Sequence, residues 1–189
     1  MGTSEHRPDW REDLAAAGKA AGPSVRSEIA IAAPAAAIWA GLAEPGYLKR
    51  SHPFCAETEV ERWPGVGARD SITYYSGRRY QRRFVAWVEG EGYDIELGEP
   101  PHQTARVLWR IGPETDGACP FSIEVVPLLP ADMAPAKRDA VLAREFGADL
   151  QHYLDCVVQG VKHWIETGED VGEDRFGWNP LYSRPGAQA

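Results

Sequence analysis

Residues 136–168 read AKRDAVLAREFGADLQHYLDCVVQGVKHWIETG, and this stretch decides the predicted fold. Its apolar side chains recur at spacings of three and four, the period at which side chains share one face of an α-helix. They are Leu142, Phe146, Leu150, Tyr153, Val157, Val161 and Trp164. The pattern predicts one amphipathic helix of roughly 30 residues, about 45 Å long, with Gly168 as its C-cap. A helix of this length needs a broad apolar partner, and a sheet provides one.

The chain ahead of this helix carries the pattern of short antiparallel strands. Six segments between residues 55 and 129 are rich in β-branched and aromatic residues and are separated by glycine and proline turns. Short connections place consecutive strands side by side, so these six form a meander. A seventh strand is predicted in SVRSEIAIA, residues 24–32, where Val25, Ile29 and Ile31 alternate with polar residues. Pro34 then opens a helix, and a short helical turn in YLKRS follows.

The element order is therefore β-α-α-β6-α, in an α+β domain. This order, the segment IAIAAPAAAIWAGLAEP at residues 29–45 and the apolar helix around YLDCVVQGVKHWI resemble the START-like or Bet v 1-like superfamily. That superfamily is also called SRPBCC and includes polyketide cyclase/dehydrase-like proteins. Residues 63–97, WPGVGARDSITYYSGRRYQRRFVAWVEGEGYDIEL, and residues 174–183, DRFGWNPLYS, resemble a bacterial branch of it. The resemblance implies a helix-grip fold, in which a seven-stranded curved antiparallel sheet wraps around the long C-terminal helix. It also implies a cavity between sheet and helix.

Three segments follow from this interpretation. Residues 1–22, whose apolar content is mostly alanine, are predicted to be an N-terminal extension that is flexible or loosely docked. Residues 23–168 form the predicted START-like domain, and residues 169–189 form a C-terminal tail. The tail aromatics Phe176 and Trp178 are expected to dock on the body, either over the cavity mouth or in a dimer interface.

Composition narrows the classes of function. The net charge is −8, which argues against a nucleic-acid partner because phosphate binding needs a basic surface. The cysteines Cys55, Cys119 and Cys156 are far apart and odd in number, so reduced thiols are expected. We expect no secretory signal, no membrane span and a cytoplasmic location. No cofactor is expected.

Arg82 and Arg83 form the most informative pair of polar residues. Adjacent strand residues face opposite sides of a sheet, so one arginine points toward the concave face, and we favour Arg82. A buried guanidinium needs an anionic partner. The partner is either a ligand carboxylate or enolate, held by paired hydrogen bonds, or an acidic residue, which is Asp70 or a glutamate near the cavity mouth. The sequence leaves both alternatives open.

The candidate ligand-binding residues are mostly aromatic, because aromatic walls with a few hydroxyls suit a planar or lipid-like molecule. They are Tyr74, Tyr80, Arg82, Phe84, Tyr93, Trp109, Tyr153, Val157 and Trp164. The alternative for each aromatic residue is packing in the core. The candidate catalytic residues are Arg82 and His52; His52 is either a general acid or base, or a surface or capping histidine.

Two further clusters predict no chemistry. His152, Cys156 and His163 share a helix face, but the two histidines are eleven residues apart, roughly 16 Å along the axis, so one ion cannot bridge them. No metal site is predicted, because zinc needs three or four protein ligands. Glu57, Glu59 and Glu61 alternate on one strand and are predicted to form a solvated face.

The first functional hypothesis is binding, transport or sensing of a small apolar or amphiphilic molecule in the cavity. The second is a cyclase, dehydratase or isomerase that acts on a polyketide-like substrate, with Arg82 stabilising an enolate and His52 or a tyrosine moving protons. The third is a protein-interaction module like the activators of the Hsp90 chaperone. The sequence leaves homodimer formation open.

Overall fold

The computed structural model describes residues 10–186, which form one curved antiparallel sheet with helices on its concave side and at its ends. Its strands are β1 (Lys19–Ala21), β2 (Val25–Ile31), β3 (Cys55–Arg62), β4 (Arg69–Tyr74), β5 (Arg79–Val88), β6 (Gly92–Leu97), β7 (Ala105–Ile111) and β8 (Cys119–Pro130). Its helices are α1 (Trp10–Ala16), α2 (Ala35–Leu42), α3 (Leu48–Ser51), α4 (Pro135–Glu145) and α5 (Ala148–Thr167).

The strands β3 to β8 follow one another across the sheet in chain order, as the predicted meander requires. Both β2 and β1 pair with β8: β2 lies along residues 119–125 and β1 along residues 128–130. The α+β class, the curved sheet and the C-terminal helix are therefore confirmed. The sheet has eight strands where the sequence predicted seven, because β1 carries only a lysine and two alanines and gives no apolar alternation to detect.

The segment ahead of β2 is built into the fold from residue 10 onward. The ring of Trp10 lies 4.6 Å from the guanidinium carbon of Arg106. Arg106 in turn donates a hydrogen bond of 2.8 Å to Asp94 on the outer face of the sheet. Of the predicted loose extension at residues 1–22, residues 1–9 lie outside the described residues, and residues 10–21 form α1 and β1. The domain boundaries themselves stay predictions.

The prediction of a single helix of roughly 30 residues for the C-terminal stretch is wrong, because the helix is interrupted. Two helices, α4 and α5, are separated at Phe146 and Gly147, where the backbone leaves the helical region. A Cβ atom on Gly147 would lie 2.6 Å from the carbonyl oxygen of Ala143, so the bend needs a residue without a side chain. The apolar spacing continues across the bend because Phe146 and Leu150 face the same interior, which hides the break from periodicity.

The 20 residues of α5 lie beside β2 and close over the concave face of the sheet. Lys162 donates a hydrogen bond of 2.8 Å to the carbonyl oxygen of Ala30, and Ser27 donates one to Asp155. The opposite face of the helix, which includes Leu154, Val157 and Val161, is buried in the core. These contacts fix the distance between helix and sheet.

Gly160 sets the approach of α5 to α3. A Cβ atom at this position would lie 2.3 Å from the carbonyl oxygen of Ser51, a contact that only movement of backbone can relieve. We predict that Gly160→Ala lowers the free energy of unfolding by about 1–2 kcal/mol, because overpacking outweighs the better helix propensity of alanine. Urea denaturation measures the change. The matched control is Gly172→Ala, where an added Cβ meets no atom within 4 Å; equal stability of the two variants would contradict the prediction.

Candidate functional site

A cavity of ≈ 540 Å³ lies between the concave face of the sheet and the helices α4 and α5. Strands β4 to β8 supply one wall, and α5 supplies the opposite wall through Leu150, Tyr153, Leu154 and Val157. Aliphatic side chains dominate the sheet wall because concave positions of these strands alternate with solvent-facing polar ones. They include Ile72, Ile95, Leu97, Val107, Ile123 and Val125.

Polar side chains and both ends of the described chain also line the cavity. The ammonium group of Lys19 in β1 donates hydrogen bonds of 2.8 Å to the backbone oxygen and to the side-chain Oε1 of Gln103. Glu145 of α4 lies 3.6 Å from Arg78 of the β4–β5 turn. The tail contributes Tyr182. The cavity wall therefore combines charged groups that already have partners with a mostly apolar interior.

Arg82 lies on the concave face, as predicted, and forms a buried ion pair with Asp70. Its Nε donates a hydrogen bond of 2.6 Å to Oδ1 of Asp70, and its Nη2 donates one of 2.6 Å to Oδ2. The two residues are only 5% and 1% exposed. Asp70 and Arg82 are direct cross-strand partners on β4 and β5, so the sheet register itself creates the pair. Of the two alternatives from the sequence, the structure contains the salt bridge, and the guanidinium charge is already neutralised.

His52 lines the cavity and is only 3% exposed, so it is not a surface histidine; we call the part of the cavity around His52 and Tyr153 its deep end. Its Nδ1 accepts a hydrogen bond of 3.2 Å from the backbone N–H of Phe54, and its Nε2 lies 2.9 Å from the hydroxyl of Tyr153. Burial, together with the positive charge of Arg82, lowers the pKa of His52 to about 3. The imidazole is therefore neutral near pH 7, and it is poorly suited to act as a general acid.

The hydroxyl of Tyr153 also lies 2.9 Å from that of Tyr74, so His52, Tyr153 and Tyr74 form a continuous chain of hydrogen bonds. Burial raises the pKa of both phenols above the ordinary value, so both remain protonated. The ring of Tyr182 from the tail packs 4.3 Å from Tyr153 and 4.6 Å from Tyr74, measured between centroids. We call the three hydrogen-bonded residues His52, Tyr153 and Tyr74 the hydroxyl cluster; Tyr182 packs on it but has no hydrogen bond to it.

Six of the predicted ligand-binding residues line the cavity, and three lie elsewhere. The lining ones are Tyr74, Tyr80, Arg82, Trp109, Tyr153 and Val157. Phe84, Tyr93 and Trp164 pack instead in the core: Phe84 lies 5.0 Å from Trp63, and Trp164 stacks at 6.4 Å on Tyr47. The hydroxyl groups of Tyr93 and Tyr47 form a hydrogen bond with each other in the same region. The structure places these residues without testing ligand binding, which stays a prediction.

Sequence reasoning missed the residues that the chain ends and loops bring to the cavity. Lys19, Gln103, Arg144 and Tyr182 line it, and none of them belongs to an alternating or helical pattern that faces inward. Tyr182 is marked by the sequence only as one more aromatic residue of the tail. Its position depends on Asn179, whose amide donates a hydrogen bond of 2.8 Å to the carbonyl oxygen of Asp149.

The tail also explains the polar face of α5 that superficially suggested a metal site. Cys156 donates a hydrogen bond of 3.2 Å to the carbonyl oxygen of Phe176. Nε2 of His152 lies 3.1 Å from the carbonyl oxygen of Trp178. Within residues 10–186, no group of three or more His, Cys, Asp or Glu side chains could hold a metal ion. The same residues include no helix that is both long and apolar enough to cross a bilayer.

Comparison with known proteins gives structural matches only. No protein-family model matches the sequence, and no curated protein matches it. Norcoclaurine synthase from Thalictrum flavum is 13% identical over 87% of this chain and 95% of its own, with a TM-score of 0.59. The protein TTHA0849 from Thermus thermophilus is 16% identical over 76% of this chain and 97% of its own, with a TM-score of 0.58.

DynU16, from the dynemicin biosynthetic locus, is 14% identical over 79% of this chain, with a TM-score of 0.56. The match spans 49% of DynU16, so this chain corresponds to about half of that protein's length. At such identities the matches establish the fold and not the function. They confirm the predicted fold, with its sheet curved around a C-terminal helix.

Proposed function

We propose that this chain, which has the Bet v 1-like helix-grip fold, binds a small, mostly apolar molecule in its internal cavity. The observation that carries the proposal is the cavity of ≈ 540 Å³, walled mainly by aliphatic and aromatic side chains. Ligand sites of proteins typically measure about 300–1,000 Å³ and combine apolar walls with a few placed polar groups. The hydroxyl cluster supplies those polar groups at the deep end.

Binding strength would come from the removal of apolar surface from water. Each 100 Å² of apolar surface buried contributes about 2.5 kcal/mol, from which the entropy lost on association is subtracted. Four different secondary-structure elements line the interior with apolar side chains, so a ligand would be surrounded on several sides. They contribute Leu48 (α3), Ile95 (β6), Trp109 (β7) and Ile123 (β8). The fold already holds these side chains in place, which limits the entropy lost when a ligand binds.

The enzyme hypothesis draws less support from this site. Norcoclaurine synthase is a synthase and DynU16 comes from a biosynthetic locus, but these descriptions concern those proteins. In this chain Arg82 is paired with Asp70, which leaves no free guanidinium for an enolate. His52 is neutral and its Nδ1 already accepts a backbone hydrogen bond. The third hypothesis, a protein-interaction module, gains nothing from the exposed large apolar residues of the described chain, which are Val60 and Val66.

A bulky side chain inside the cavity should weaken binding. We predict that Val107→Trp weakens binding of the neutral fluorescent probe N-phenyl-1-naphthylamine by about tenfold or more, or roughly 1.4 kcal/mol. Val107 lines the cavity from β7, so an indole at this position would occupy ligand space. Probe fluorescence, titrated at constant protein concentration, gives the two dissociation constants.

The matched control makes the same change at an exposed position. Val66→Trp adds an indole in the β3–β4 loop, where the side chain is 62% exposed, and should leave probe affinity unchanged. If the wild-type protein fails to bind the probe, or if both variants bind it as the wild type does, the internal cavity is not the binding site.

A further inference from the structure

The hydroxyl cluster has one more hydrogen-bond donor than its own contacts use. His52 determines which atoms donate in this chain of hydrogen bonds. Its Nδ1 accepts a hydrogen bond of 3.2 Å from the backbone N–H of Phe54. A neutral imidazole carries a single ring proton, so that proton is on Nε2. Nε2 therefore donates to the hydroxyl oxygen of Tyr153, 2.9 Å away.

Three protons are then available for two contacts. They are the Nε2 proton of His52 and the hydroxyl protons of Tyr153 and Tyr74. The His52–Tyr153 contact uses the first, and the Tyr153–Tyr74 contact of 2.9 Å uses one hydroxyl proton, whichever tyrosine donates it. One hydroxyl proton of the tyrosine pair is left over. Among residues 10–186 neither hydroxyl has a further acceptor, and both tyrosines line the cavity.

A buried hydroxyl proton without an acceptor is unfavourable, so the pair needs an acceptor from the cavity contents. A purely hydrocarbon ligand cannot supply one and would displace any water that does. The polar group of the preferred ligand must therefore accept a hydrogen bond at the deep end, beside Tyr74 and Tyr153.

The surroundings also restrict the charge of that group. The guanidinium of Arg82 already donates to both carboxylate oxygens of Asp70, so a ligand carboxylate would find no free cation there. Burial favours the neutral form of every titratable member of the cluster: it raises the pKa of Tyr74 and Tyr153 and lowers that of His52. An ionised ligand group would meet the same desolvation penalty.

We propose that the ligand carries a neutral carbonyl oxygen, as in an aromatic ketone, aldehyde or quinone, which accepts the remaining hydroxyl proton of the Tyr74–Tyr153 pair. This inference rests on the proposed function and adds the substrate class. The apolar remainder of the molecule extends from the deep end toward Val107, Ile123 and Val157.

Three naphthalenes of nearly equal size test the proposal: 2-acetylnaphthalene, 2-ethylnaphthalene and 2-naphthoate. Their affinities are measured by displacement of N-phenyl-1-naphthylamine. The ketone should bind wild-type protein roughly tenfold more tightly than the hydrocarbon, the ratio expected for one added buried hydrogen bond, and more tightly than the carboxylate. The infrared carbonyl stretch of the bound ketone should shift to lower frequency than in hexane, which reports the hydrogen bond directly.

Variants locate the donor. The double variant Tyr74→Phe with Tyr153→Phe keeps both rings and should bind ketone and hydrocarbon equally well, because both hydroxyls are gone. Either single variant leaves one hydroxyl proton facing the cavity and should retain a preference. Tyr75→Phe is the matched control, since it also removes a phenol hydroxyl but Tyr75 lies outside the cavity, with its ring against Arg184, and it should retain the full preference.

The outcomes separate this inference from the proposed function. Equal binding of ketone and hydrocarbon by the wild-type protein, or tighter binding of the carboxylate, would overturn the carbonyl inference while leaving the cavity as a binding site. An unshifted carbonyl stretch would overturn it as well, even if the double variant failed to fold. Failure of the ketone to displace the bound probe would overturn the inference alone, whereas failure of the probe itself to bind would remove the proposed function together with the inference.

Discussion

Replacing Asp70 by alanine should lower the free energy of unfolding by about 3–5 kcal/mol, the range observed when one partner of a buried ion pair is removed. Arg82 is 5% exposed and makes both of its short hydrogen bonds, of 2.6 Å each, to this one carboxylate. Without Asp70 the guanidinium would be an uncompensated charge in an apolar wall. Urea denaturation, followed by circular dichroism, measures the loss.

The control replaces both partners at once. The double variant Asp70→Leu with Arg82→Met removes both charges and keeps much of the volume, so it should be far closer to the wild type in stability than Asp70→Ala. Asp70→Ala should also admit anions, because the freed guanidinium can pair with 2-naphthoate. A loss of less than about 1 kcal/mol in Asp70→Ala would mean that the pair is solvated like a surface salt bridge.

The second large effect is a loss of stability in acid that His52 causes. Its pKa is about 3 in the folded protein, against an ordinary value of 6.5. Above pH 6.5 both the folded and the unfolded state hold His52 neutral, so it contributes no pH dependence. Below that pH the unfolded state binds a proton that the folded state excludes, so stability falls by about 1.4 kcal/mol per pH unit until the pH approaches the folded pKa. At pH 4.5, two units below the ordinary value, the loss should reach about 2.7 kcal/mol.

Comparison with His52→Gln isolates this contribution, because glutamine can still hydrogen-bond but does not titrate. The variant should be somewhat less stable than the wild type at pH 7.5, by about 1 kcal/mol for imperfect hydrogen bonds. The stability gap should then close or reverse as the pH falls to 4.5, since carboxylates elsewhere affect both proteins alike. Parallel stability curves between pH 7.5 and pH 4.5 would contradict the assigned burial of a neutral imidazole.

The sequence was sufficient for the fold because its decisive signals are periodic and local. Alternation along β2 and β6 and the three–four spacing along α5 each reflect one face turned to a common core, and short turns determine which strands are neighbours. The same local method failed at Phe146 and Gly147, since the apolar spacing continues through a bend that only the backbone reveals.

The site was only half predictable, because its central contacts join residues far apart in the chain. The sequence placed Arg82 on the concave face and named Asp70 as one partner, since strand alternation and charge pairing are both local rules. The hydrogen bond from His52 to Tyr153 spans 101 positions, and no pattern around His52 indicates it. Tyr93 and Phe84 have the same alternation as the lining residues, so composition could not separate the cavity wall from the solid core.

Lys19 and Tyr182 come from opposite ends of the described chain, and both form part of the cavity wall. The segment that carries the predicted helix-grip domain, residues 23–168, therefore encloses the cavity incompletely. Proteolytic trimming at either end, or a fusion partner that displaces the tail, would remove part of the cavity wall itself. Ligand screens and crystallisation trials on a shortened fragment would then sample a different receptor from the one that residues 10–186 build together.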